Sequence, residues 1–194
     1  MNSMRSYQFN RGYAHPAFAE GAPNGVVELD RPSTLVTDAT LTTTQDIMEV
    51  MDAFWEVAPH QSPFLIIARG FDEKVLEHLV RLHESGRPVY LVQAPGYGDR
   101  CREMLIDIAA VTGGGIFPEI PGDEGGRIDV GEIGYADLIR MTEDETCILN
   151  GAGSARTILQ RIDAIRHAIE TTWSDFDREK YQERIDALME SMNH

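Results

Sequence analysis

Short continuous apolar runs alternate with stretches of helical spacing through most of the chain, and after about residue 150 only the helical spacing remains. Phe64 to Ala68 and Val89 to Val92 are unbroken apolar runs of strand length, which suits strands covered on both faces. Between Gln8 and Asp38 extended segments are broken by Gly and Pro, with Val26, Val27 and Leu29, then Leu35 and Val36, as strand positions. Thr43 and Asp46 stand three apart before an apolar run, a helix-start pattern; the helix predicted over Thr44 to Val57 ends at Pro59. Asp72 can cap a second helix through about Ser85, with Gly86 where a C-terminal glycine belongs. A third helix, from about Arg100 to Val111, stops at Gly113-Gly114-Gly115. Ile116-Phe117 is a further short strand, and the Gly-, Pro- and acid-rich residues from Pro118 to Gly134 read as a loop. Ala136 to Met141 and Thr146 to Leu149 flank Thr142-Glu143-Asp144-Glu145 as a hairpin. Two last helices, Ala155 to Thr172 and Asp175 to Met192, meet at a tight turn at Trp173-Ser174. The alternation of strands and helices predicts an α/β domain finished by a helical hairpin.

The first two helices are too apolar for one-sided burial. Ile47, Val50 and Phe54 follow helical spacing, and so do Met48, Met51 and Trp55. Val75, Leu76, Leu79, Val80 and Leu82 spread just as widely around the second helix. A surface helix needs an apolar arc of about 100°. Either these helices are sandwiched in the core, or one stripe of each faces something the chain itself does not supply.

Composition and charge narrow the classes of partner. A chain of 194 residues with 42% hydrophobic content is expected to form one domain with a real core. The net charge of −15 argues against nucleic acid and anionic membrane as partners, since both would be repelled. No run approaches the eighteen or so apolar residues of a membrane span. There is no apolar leader segment, and two cysteines, Cys101 and Cys147, fit idle thiols in a reducing, cytoplasmic compartment. Residues 1–3, ahead of Met4, read as a tag remnant.

Candidate chemistry is sparse. Gly113-Gly114-Gly115 follows a helix rather than opening one, so it lacks the helix N-terminus that would hold a phosphate. Gly96-Tyr97-Gly98-Asp99-Arg100 does precede a helix but has neither a Lys-Ser/Thr pair nor the full dinucleotide spacing. His78 and His83 are five apart, not the i, i+4 pair of a helical metal site. No catalytic group, metal site or cofactor site is expected in this chain.

Several segments nevertheless carry a family resemblance. Ala94-Pro95-Gly96-Tyr97-Gly98-Asp99-Arg100, followed by Met104-Leu105, Asp107-Ile108-Ala109 and Thr112-Gly113-Gly114, resembles a hallmark segment of the group I chaperonins, the GroEL family. Gln8-Phe9-Asn10-Arg11-Gly12-Tyr13 with Pro16 and Phe18 resembles the entry into that family's apical domain. Val27-Glu28-Leu29 with Pro32 and Asp38, Leu65-Ile66-Ile67-Ala68, and Ser174-Asp175-Phe176-Asp177-Arg178-Glu179-Lys180 with Gln182-Glu183-Arg184 follow in the family's order.

The resemblance implies a layered apical-domain fold over residues 4–192, with mixed sheets, two groove helices and residues 155–192 as a C-terminal helical hairpin. It implies a hydrophobic groove that holds non-native polypeptides and the mobile loop of the co-chaperonin GroES. Carried over, the groove residues are Tyr13, Phe18, Met48, Met51, Val75, Leu79 and Val80, with a one-residue ambiguity before the second helix. Ala17 stands where the family has an aromatic, and Met48 and Met51 where it has leucines. The family's nucleotide-binding Gly-Asp-Gly-Thr-Thr motif and its catalytic aspartate segment are absent. ATP and magnesium are therefore expected only in a full-length relative, which would be a heptameric ring, and this chain is expected to be a non-enzymatic monomer. The resemblance implies either a fragment or a stand-alone relative; the competing expectation is a divergent protein that binds one dedicated partner.

Overall fold

In a computed structural model, which describes residues 5–57, 62–117 and 130–192, the strands form one mixed sheet with helices on both faces. Its parallel part contains β3 (Ser33–Leu41), β4 (Phe64–Phe71), β5 (Val89–Gln93) and the short β6 (Ile116–Phe117). Within it β6 pairs β3, β3 pairs β4, and β4 pairs β5. Its antiparallel part contains β1 (Ser6–Phe9), β2 (Val27–Asp30), β7 (Gly134–Met141) and β8 (Thr146–Gly151). β1 pairs β8, β8 pairs β7, and β2 pairs the opposite edge of β7. The two parts join where Ser33 and Thr34 pair with Tyr135 and Gly134.

Parallel neighbours require crossovers, and three helices supply them: α1 (Gln45–Val57), α2 (Glu73–Glu84) and α3 (Asp99–Thr112). The side chains of β4 alternate between two cores. Phe64, Ile66 and Ala68 pack with α1 and α2, whereas Leu65 and Ile67 pack with α3. That two-sided burial explains why the strand is a continuous apolar run instead of an alternating one. The hairpin of α4 (Ala155–Thr171) and α5 (Asp175–Glu190) covers the α3 side through Ile158, Ile162, Ile165, Ile185 and Leu188.

A charged cluster is buried between α3 and this hairpin. Asp107 has no exposed surface and receives Arg161 Nε at 2.5 Å and Arg184 Nε at 2.7 Å. Glu103 completes the cluster against both arginines. Burial alone would raise its carboxyl, but the hydrogen bonds and charges of Arg161 and Arg184 outweigh that and hold it below the usual carboxylate range. For Arg184, burial opposes the charge, yet Asp107 and Glu103 hold its guanidinium even more firmly protonated than usual.

Helix boundaries follow local chemistry. Ser154 and Ser174 accept hydrogen bonds from Thr157 N and Asp177 N at 3.1 Å, capping α4 and α5. Gly113, at φ 74°, closes α3 in the left-handed conformation open to glycine. Asp72 holds the cap position of α2, but its side chain makes no capping bond, so that expectation is corrected. The extended N-terminal reading resolves into β1 and β2, and β3 runs well beyond Leu35 and Val36. The loop expected from Pro118 lies outside the described residues as far as residue 129. Past it, Val130–Glu132 form a 3-10 turn and Gly134 already belongs to β7.

Candidate polypeptide-binding surface

Both α1 and α2 lie on the same face of the parallel sheet, and their shared floor is sealed. Ile47, Val50, Met51 and Phe54 of α1 and Val75 and Leu79 of α2 form one core with Leu35, Phe64, Ile66 and Leu91. Met51, Val75 and Leu79 have no exposed surface, and Phe18 only 2%. These four residues, expected to line an open trough, are buried in that core instead. They point at the sheet because the apolar runs of β4 and β5 need a cover on this side. The residues that reach the surface are half-buried: Tyr13, Met48 and Val80 from the expected set, with Trp55, Leu76 and Leu82 beside them.

The exposed apolar flanks do not form one groove. On α2, His78 stands about 200° around the helix from both Leu76 and Val80. His78 Nε2 lies 3.4 Å from Met48 Sδ, so it faces α1. Leu76 and Val80 therefore occupy the opposite flank, together with His83, three residues past Val80. The seam between α1 and α2 is bridged by Met48 against His78 and, further on, by the Arg87 guanidinium 5.0 Å from the Trp55 ring centre.

The second flank faces the N-terminal segment. Tyr13 bridges to Val92 and Ala14 N donates to Leu91 O at 2.8 Å, so this segment lies along the free edge of β5. Gly12 makes the approach possible, because a Cβ there would collide with the carbonyl oxygen of Thr142. A 3-10 turn over Pro16–Ala19 then drives Phe18 into the core. The Phe18 ring meets His83 edge-on at 5.3 Å, and His83 meets Tyr90 at 4.9 Å. The result is an apolar strip. It comprises the half-buried Leu76 and Val80 of α2 and Tyr13 and Ala14 of the N-terminal segment, packed with half-buried Tyr90 against the core that holds Phe18 and Leu79. Burial pushes the Tyr90 phenol up, so it stays neutral.

Leu76, not among the expected groove residues, shares a flank with Val80 four positions on, whereas Val75 and Leu79 form the buried inner stripe. Two aromatics away from the strip are highly exposed. Trp173 is 96% exposed in the turn between α4 and α5, and Tyr97 is 81% exposed with its hydroxyl accepting from Arg11 Nη2 at 3.0 Å. Among the described residues no group of three or more His, Cys, Asp or Glu could hold a metal ion. Among them, too, no helix is long and apolar enough to cross a membrane. The thiols of Cys101 and Cys147 are both pushed up by burial, which suits inert side chains. Compared with known protein families, the chain matches no family model.

Proposed function

We propose that this chain is a polypeptide-binding module of the group I chaperonin type, and that it holds apolar stretches of non-native proteins in the strip between α2 and the N-terminal segment. The observation that carries the reading is the pair Leu76 and Val80, left half-exposed and packed, like Tyr13 and Tyr90, against the core that holds Phe18. The resemblance of the segments around Gly12, Ala68 and Gly96 to chaperonin apical domains supports it. Under this reading the mobile loop of a GroES-type co-chaperonin competes for the same strip, and the protein works in the cytoplasm.

Such capture needs no catalytic group. Fully burying a Leu-sized side chain is worth roughly 1.5–3 kcal/mol, and Leu76 and Val80 are already part-covered, so each contributes less. After association costs, two or three such anchors leave an affinity of about micromolar or weaker. Weak single sites suit an assembly in which several copies grip one chain and avidity supplies the hold. The test is suppression of aggregation of a chemically denatured protein by the purified chain without ATP. The reading predicts suppression that disappears with Val80→Glu; equal suppression by that variant contradicts it.

A further inference from the structure

Two histidines flank the strip, and their hydrogen bonds demand opposite tautomers. His83 Nδ1 lies 3.2 Å from Val89 O. A carbonyl only accepts, so in neutral His83 the proton sits on Nδ1 and Nε2 is left as an acceptor. Among the described residues Nε2 has no partner and is not one of the buried unpartnered atoms, so it reaches solvent. On the facing segment, the Ala17 N–H donates to His15 Nδ1 at 3.1 Å and caps the 3-10 turn. Neutral His15 therefore carries its proton on Nε2.

Protonation acts differently on the two. A charged His83 keeps its bond to Val89 O but places a cation beside Phe18 and Val80. An apolar ligand laid over it would have to desolvate that charge. A charged His15 can no longer accept from Ala17, so the turn that places Phe18 and Ala17 loses its cap. The rings packed on His83 are Phe18 and the neutral Tyr90. The charged groups on the surrounding elements are Glu20 beyond the 3-10 turn, Glu73, Lys74, Glu77, Arg81 and Glu84 on α2, and Arg87 before β5, all of them exposed. The ion pair of His167 with Glu170 belongs to α4.

We propose that His83 and His15 make polypeptide binding at this strip proton-gated: the strip takes an apolar segment when both imidazoles are neutral and releases it when they are charged. The ligand class is an uncharged apolar segment with a free N–H or hydroxyl for His83 Nε2, which an extended segment offers along its length. A helix offers such N–H groups only in its first turn. The gate rests on the function proposed above.

The experiment is fluorescence anisotropy with an end-blocked, dye-labelled peptide of about twelve Leu, Val, Ser and Gly residues, which has no side chain titrating near neutrality. It is read at about pH 7.5 and about pH 5.5, either side of the ordinary imidazole range, at constant ionic strength. Wild type is expected to bind about tenfold more weakly at the lower pH, the effect of one unit of coupling. His15→Gln combined with His83→Gln is expected to bind within about twofold at both, whereas His78→Gln, on the other flank, keeps the wild-type response. Equal wild-type affinity at both pH values overturns the gate while leaving the binding function standing, as does an unchanged fall in the double variant. Absence of binding at either pH overturns both. Imidazole nitrogen NMR of the unliganded wild-type protein provides a readout independent of binding: protons on His83 Nδ1 and His15 Nε2 at neutral pH support the gate, and the reverse tautomers contradict it.

Discussion

The two faces of the parallel sheet are covered by different means. On one side α3 and the α4–α5 hairpin seal the core, and a charge cluster of Asp107, Glu103, Arg161 and Arg184 locks the seal. On the other side α1 and α2 bury their inner stripes completely and leave their flanks half-covered. The first arrangement fixes one geometry, because a buried charge tolerates only its own partners. Among the described residues the polar contacts across the second are a histidine on a thioether, between α1 and α2, and the guanidinium of Arg87, ahead of β5, over an indole of α1. Apolar surface without a polar lock can accept another apolar chain at little cost, so the proposed binding function falls on the half-covered face and the charge cluster on the sealed one.

Substitutions should divide along the same line. Asp107→Ala leaves Arg161 and Arg184 buried without their main partner, and is expected to cost about 3–5 kcal/mol of stability, read by urea unfolding. Leu79→Ala removes the foundation of the strip and is expected to cost about 2–5 kcal/mol, shown by a lowered melting temperature. Leu76→Glu, one flank away, should change stability by about 1 kcal/mol or less yet weaken apolar-peptide binding at least about tenfold. On the sealed face, acid should act through Glu103. Its carboxyl is held low in the folded state, so its contribution is present above the ordinary glutamate range near pH 4.3 and is lost as pH falls through the lowered folded value. Because Glu103 is 42% exposed, solvent screening keeps this effect small. A urea-midpoint series from about pH 6 to about pH 3 should show that acid-dependent decline diminished in Glu103→Gln.

Much of this division could be read from the amino-acid pattern, and the remainder fails for identifiable reasons. β4 and β5 were visible because strands covered on both faces are continuous apolar runs, and α3 because Gly113 stops it. The excess apolar width of α1 and α2 was visible too. Periodicity places Leu76, Val80 and His78 around a helix but does not name the neighbour on each flank; that depends on the N-terminal segment lying along β5. Hence Met51, Val75, Leu79 and Phe18 were expected in an open trough and are buried in the core. The charge cluster escaped because its members are 54 and 77 positions apart in the chain, beyond any local pattern. Asp107 reads as an ordinary polar helix position until α4 and α5 fold over it.

The decisive comparison is the affinity of one apolar, end-blocked peptide for wild type, Leu76→Glu and Arg178→Ala, with melting curves recorded on the same samples. Arg178 lies exposed on α5, paired with Asp175. The expected result is binding lost in Leu76→Glu and kept in Arg178→Ala, with all three proteins melting within a few degrees of one another. Equal binding by all three would contradict the assignment of the strip beside α2 as the surface that receives a polypeptide.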